Sequence, residues 1–179
     1  MKLVASLTSP FARKIRIALI EKKLDFELHE SIPWDTDTDV GDYNPLGKVP
    51  ALEDEGQVWT DSSVIIDYLE TKDSATRLIS DNKLQAVEVK QIEALADGVC
   101  EAAIIIFLEK KRAEDKQEQA WIDRQQQKIN AGLASLEASL DNSPYFCHNT
   151  FSVAYIAVVS LLDLSFDSQS SNGNYLTLP

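Results

Sequence analysis

The apolar periodicity of this chain changes once along its length, and that change decides what it can fold into. Up to about residue 73, short apolar runs alternate with helical patterns. From residue 83 onward only helical spacing remains. Residues 2–7 (KLVASL) read as a short buried strand, and Thr8-Ser9-Pro10 punctuates it. Residues 11–23 carry Phe11, Ile15, Ala18 and Leu19 at helical spacing among many charges. Phe26 to His29 reads as a second strand, and residues 33–47 as a polar loop holding one helical turn. Val49-Pro50-Ala51-Leu52 opens a third strand, Glu55-Gly56 turns it, and Gln57 to Thr60 returns. Asp61-Ser62-Ser63 then caps a helix whose inner side carries Val64, Ile65, Tyr68 and Leu69.

The order β-α-β, loop, β-β-α is that of a thioredoxin-like unit. Residues 74–82 read as a linker. Beyond it, residues 83–112 and 116–141 carry long helical patterns, and a last helix starts at Ser152 and runs to about Leu164. The fold class is therefore α/β plus all-α, with a thioredoxin-like N-terminal domain over residues 1–73 and an all-helical C-terminal domain over 83–179.

Net charge is −12 and divides evenly between the two halves. A field of that sign opposes phosphate backbones and anionic lipids, so no nucleic acid and no membrane surface is expected as a partner. The start, MKLVASLTSPFARK, has a basic residue and an apolar run, but Pro10 and the basic residues after it interrupt the core a secretory leader needs. Nothing approaches the length of a membrane span. Only Cys100 and Cys147 occur, so neither a disulfide framework nor zinc spacing exists, and a reducing cytoplasmic setting is the simplest. Cys100 falls on an apolar helix face and reads as core. His29 and His148 have no partner at ligand spacing, so no metal is expected.

Three segments could carry chemistry. Ser9-Pro10 suits an N-cap and first helical residue. The same geometry presents free N–H groups and a partial positive charge to an anion, with the Ser9 hydroxyl beside it. Val49-Pro50 reads equally as a cis peptide or as a trans proline at a strand edge. Asp61-Ser62-Ser63 is an N-cap cluster that also offers a hydroxyl and helix amides to a carboxylate.

Together, SPFARKIRIALIEK and YNPLGKVPALEDEGQVWTDSSVIIDYLE resemble the N-terminal domain of the glutathione transferases, and EALADG and FSVA extend the resemblance over almost the whole chain. The likeness is to bacterial members with Ser-Pro-Phe at the first helix, a motif also found in the tau class. It implies glutathione as co-substrate, an electrophilic small molecule as second substrate, a role in detoxification, and a homodimer. By that resemblance Ser9 activates the thiol, Val49 pairs with the cysteinyl backbone, Pro50 is the cis-proline, and Asp61 and Ser62 hold the γ-glutamyl end. Lys48 reaches the glycyl carboxylate, and Asp97 matches an aspartate near the γ-glutamyl amine. Phe11 and Trp34 wall the second substrate, which lies against the helix over 83–112. The alternative is a non-enzymatic interaction protein of the same fold, as with stringent starvation protein A.

Two departures stand out. Family members carry an acidic residue three positions after the Ser or Thr that caps the last helix, whereas Ser152 is followed by Tyr155. Phe151 and Ile156 suit a hydrophobic staple, yet with Tyr155 the capping box is half made, so Tyr155→Asp is expected to stabilise that helix. Family members also continue through further helices where this chain reads FDSQSSNGNYLTLP, the expectation being a truncated or divergent C-terminus.

Overall fold

The computed structural model describes residues 1–140 and 143–170, and of residues 163–170 the backbone only. The chain forms two compact units, Met1–Ser80 and Asp81–Pro179. The first is thioredoxin-like: β1 (Lys2–Ala5), α1 (Pro10–Glu21), β2 (Glu27–Glu30), α2 (Val40–Tyr43), β3 (Ala51–Asp54), β4 (Gln57–Thr60) and α3 (Ser62–Glu70). Its four strands lie in the order β2-β1-β3-β4. β1 and β2 are parallel; β3 is antiparallel to both of its neighbours, β1 and β4.

Local chemistry sets the boundaries. β1 ends at Ala5, short of the expected Leu7, because the Ser6 carbonyl accepts from the Ser9 N–H at 3.2 Å and the Ser6 hydroxyl bonds that of Thr8 at 3.0 Å. β3 starts at Ala51, since Pro50 has no N–H to give a ladder. The β3–β4 hairpin turns on Glu55 (φ 51°) and Gly56 (φ 79°), two left-handed residues as a tight hairpin demands. α1 buries Ala12, Ile15, Ala18 and Leu19, and α3 buries Ile65, Ile66 and Leu69. Residues 74–80 belong to the first unit, where the buried Lys22 ammonium donates to the Thr76 carbonyl and Glu70 accepts from the Leu78 N–H.

The second unit is helical: α4 (Lys83–Lys110), a 3-10 turn at Glu114–Lys116, α5 (Gln119–Leu140), α6 (Phe146–Asn149) and α7 (Val153–Ser170). α4 packs against both α5 and α7. Gly132 of α5 sits where a Cβ would meet Val99 of α4 at 2.3 Å, so the close approach of these helices requires its missing side chain. α7 runs past the expected Leu164 to Ser170. Residues 171–179, the greater part of the tail discussed above, lie outside the described residues. The short α6 escaped sequence reading because it has no apolar period: Cys147, His148 and Asn149 all have φ between 53° and 58°. His148 ties it to α4 through Glu88, 2.5 Å away.

The start of α7 corrects an expectation. The Ser152 carbonyl begins the helical bonding, accepting from Tyr155 and Ile156 N–H, but its buried hydroxyl has no hydrogen-bond partner among the described residues and makes no capping bond to them. Tyr155 instead joins Tyr145 (ring centroids 5.1 Å, 81°) and Phe151 (5.7 Å), with Tyr145 and Phe151 themselves 5.8 Å apart. Each such aromatic pair is worth about 0.5–1.5 kcal/mol beyond its buried area. That outweighs a half-made capping box, so Tyr155→Asp is now expected to lower stability by about 1–2 kcal/mol. A higher melting temperature for the variant would restore the capping argument.

Candidate functional site

Sheet register brings the three candidate segments to one end of the first unit. Val4 pairs with Ala51, and Ala51 with Thr60. The end of β1, the start of β3 and the end of β4 are therefore neighbours, at strand spacings of about 4.8 Å. Ser9 follows the first, Val49-Pro50 precedes the second, and Asp61-Ser62 follows the third. Two helix N-termini, those of α1 and α3, start at the same end of the sheet. Anions are stabilised at such termini by unpaired N–H groups and the helix dipole.

Ser9 is the N-cap of α1, its Oγ accepting from the Ala12 N–H at 3.3 Å. A hydroxyl that accepts there keeps its own proton to donate elsewhere. Pro10 occupies the first helical position and Phe11, half-buried, the second. The Val49–Pro50 peptide is cis, which closes the question sequence left open. Val49's N–H and C=O make no hydrogen bond to another described residue, so one donor and one acceptor stand open beside β3. Lys48 is exposed on the loop before it; its carbonyl accepts from the Asn44 side chain at 2.8 Å.

Asp61 holds φ 70°, ψ 128°, a backbone region costly for any residue but glycine, and such outliers cluster at functional sites. Its carboxylate caps α3 through the N–H groups of Ser63 (2.9 Å) and Val64 (3.3 Å). Ser62, the first helical residue, is 5% exposed, and no hydrogen bond joins its hydroxyl to another described residue. Trp34 is 58% exposed in the loop after β2. Asp97 lies half-buried on α4, in the second unit.

Sequence reading missed the group behind Val49. Val4, Val40 and Ala51 form a buried cluster against which Tyr43 and Val49 pack. His29 pairs with Asp39 at 2.7 Å, and hydrogen bonds from Ser31 and then His29 hold the Asp39 carboxyl below its ordinary range. No periodic signal could have found a pair joining a strand to a loop ten residues away. Of the cysteines, Cys100 is core, and burial followed by the Glu88 charge pushes the Cys147 thiol up, away from nucleophile chemistry. Among the described residues no group of three His, Cys, Asp or Glu could hold a metal ion, and no helix is long and apolar enough to cross a membrane.

The family model of the glutathione S-transferase N-terminal domain matches residues 8–72. The GST-like protein YibF of Escherichia coli K12 is 42% identical over 141 residues, covering 78% of this chain and 70% of YibF. A glutathione S-transferase from Methylobacillus flagellatus, solved with glutathione bound, superposes with a TM-score of 0.89 at 35% identity, covering 96% of this chain and 86% of its own. Another from Methylobacterium radiotolerans, in complex with glutathione sulfonate, gives 0.87 at 35% identity over 91% and 77% of the two chains.

Proposed function

This chain belongs to the glutathione S-transferase family, and from that premise we propose that it binds glutathione across the sheet end of its first unit and transfers the thiolate to an electrophilic small molecule. The observation that carries the reading is the open N–H and C=O of Val49, set between two helix N-termini. An extended peptide pairs with such a strand end through main-chain hydrogen bonds. The relatives solved with glutathione or its sulfonate support the identity of that peptide.

The family resemblance assigns each role, and the local chemistry suits it. Val49 pairs with the cysteinyl backbone. Ser62 and the α3 amides take the γ-glutamyl carboxylate, with Asp61 holding the turn that presents them. Lys48, exposed and cationic, suits the glycyl carboxylate. The Ser9 proton and the α1 N-terminus then face the thiol and favour its ionised form. Bond making needs no covalent intermediate on the protein: the thiolate attacks the electrophile, whose leaving group or proton acceptor takes the charge. Phe11 and Trp34 are assigned to apolar contact with the second substrate on the family resemblance alone.

The test is a conjugation assay beside calorimetry. Ser9→Ala should raise the pKa of bound thiol by about one unit, the lower end of what a hydrogen bond to a charged group supplies, and cut the rate near neutral pH by up to about tenfold. Its effect on affinity should be modest. Superimposable rate–pH profiles for the two forms would remove Ser9 from the chemistry. Binding without any turnover would favour the interaction-protein alternative.

Assembly and setting follow the same premise: a cytoplasmic homodimer, with no nucleic acid or membrane as partner. On α4, Leu84 (68% exposed), Val87 (63%), Ala94 and Gly98 lie at helical spacing on one exposed face of small or apolar residues, suited to a second copy. Sedimentation at the mass of a single 20.0 kDa chain would overturn the dimer.

A further inference from the structure

Sheet register puts His29, Val4 and Ala51 in one row, each paired with the next, so their side chains share a face. On that face α2 packs: Val40 is buried with Val4 and Ala51, and Tyr43 and Val49 both pack against this cluster. α2 has four residues, and one helical turn does not hold itself. Something outside it must fix its place.

Asp39 stands at the N-cap of this turn, the position from which a carboxylate ordinarily caps its own helix. It makes no such bond. Its Oδ2 instead reaches back to β2 and meets His29 Nε2 at 2.7 Å, both groups being about one-third exposed. The Tyr43 ring lies 5.8 Å from the His29 ring, and its hydroxyl accepts from the Lys2 ammonium on β1. Asn44, 4% exposed, closes the far end: its Nδ2 donates to the Lys48 carbonyl and its Oδ1 accepts from the Leu46 N–H at 3.0 Å. The segment from 39 to 48 is thus pinned at its start by His29 and at its end next to Val49.

We propose that His29 and Asp39 are positioning residues for ligand binding: their bond pins α2 to β2, and α2, through the Val4–Val40–Ala51 cluster on which Val49 also packs, fixes the backbone that the ligand pairs with. This rests on the glutathione reading of Val49. If the pinned arrangement is the binding-competent one, loosening it lowers apparent affinity in proportion to the fraction that remains pinned.

The experiment combines calorimetry with glutathione and amide hydrogen exchange without ligand, on wild type, His29→Ala and His29→Gln. His29→Ala should bind glutathione about three- to tenfold more weakly, and amides of residues 40–49 should exchange faster. His29→Gln, whose amide can still donate to Asp39, should bind within about twofold of wild type. A merely structural histidine would not show this recovery together with a local exchange change. Wild-type affinity in His29→Ala, or unchanged exchange over 40–49, overturns the proposal. Should His29→Ala fail to fold, Asp39→Ala takes its place with the same expected direction. A wild-type chain that does not bind glutathione overturns the glutathione reading; exchange over 40–49 then still decides whether His29 pins α2.

Discussion

Glu70→Ala should unfold the first unit more readily than any other single change near its surface. Glu70 ends α3, and its Oε1 meets the ammonium of Lys22, at the end of α1, at 2.9 Å. The same carboxylate accepts from the Leu78 N–H at 3.2 Å and faces Arg77 Nε at 3.1 Å. The side chains are nearly dry, Lys22 at 0% and Glu70 at 9% exposure. Removing one partner of a buried pair leaves the other charged and unpaired, at a cost of about 3–5 kcal/mol. Here the stranded ammonium would keep only the Thr76 carbonyl. Whole domains are stable by about 5–15 kcal/mol, so much of the first unit's margin would go. Urea denaturation followed by circular dichroism measures it. Glu70→Gln, whose carbonyl can still accept from Lys22 and Leu78, should lose less, and equal loss in both variants would show that the charge, not the bonding, matters. No loss in Glu70→Ala would mean that Lys22 finds water instead.

This cluster also marks where sequence reading stops. Element order, the β4 limits and the Glu55-Gly56 turn were legible because period and turn chemistry are local. The Ser9 cap and the Asp61 cap were legible for the same reason. Lys22–Glu70 and His29–Asp39 were not, since each joins elements that only the fold makes neighbours. That Val49–Pro50 is cis was legible only through the family resemblance, since a proline after a glycine-containing loop suits both isomers by itself. The Tyr155 reading went astray in an instructive way. A capping rule weighs one position against its own helix, whereas the ring found Tyr145 on the preceding segment.

Ser62→Ala should weaken glutathione binding by about ten- to a hundredfold while leaving stability almost untouched. The two effects separate because the structure divides the labour at the start of α3. Asp61, not Ser62, caps the helix: its Oδ1 takes the Ser63 and Val64 N–H groups, and its carbonyl takes that of Ile65 at 2.9 Å. The Ser62 hydroxyl has no such duty, so losing it should change unfolding free energy by no more than about 0.5 kcal/mol. Toward a ligand the balance reverses. A carboxylate at this helix start meets the Ser62 N–H, the dipole and the hydroxyl together. A hydrogen bond to a charged group contributes about 1.5–3 kcal/mol, and each 1.4 kcal/mol is a factor of ten in affinity. Asp61→Ala should behave differently, losing both the cap and the turn that presents Ser62, and so both stability and affinity. Calorimetry and thermal unfolding on the two variants make the distinction. If Ser62→Ala binds glutathione as wild type does, the γ-glutamyl end lies elsewhere, and Ser62 is only the first residue of a well-capped helix.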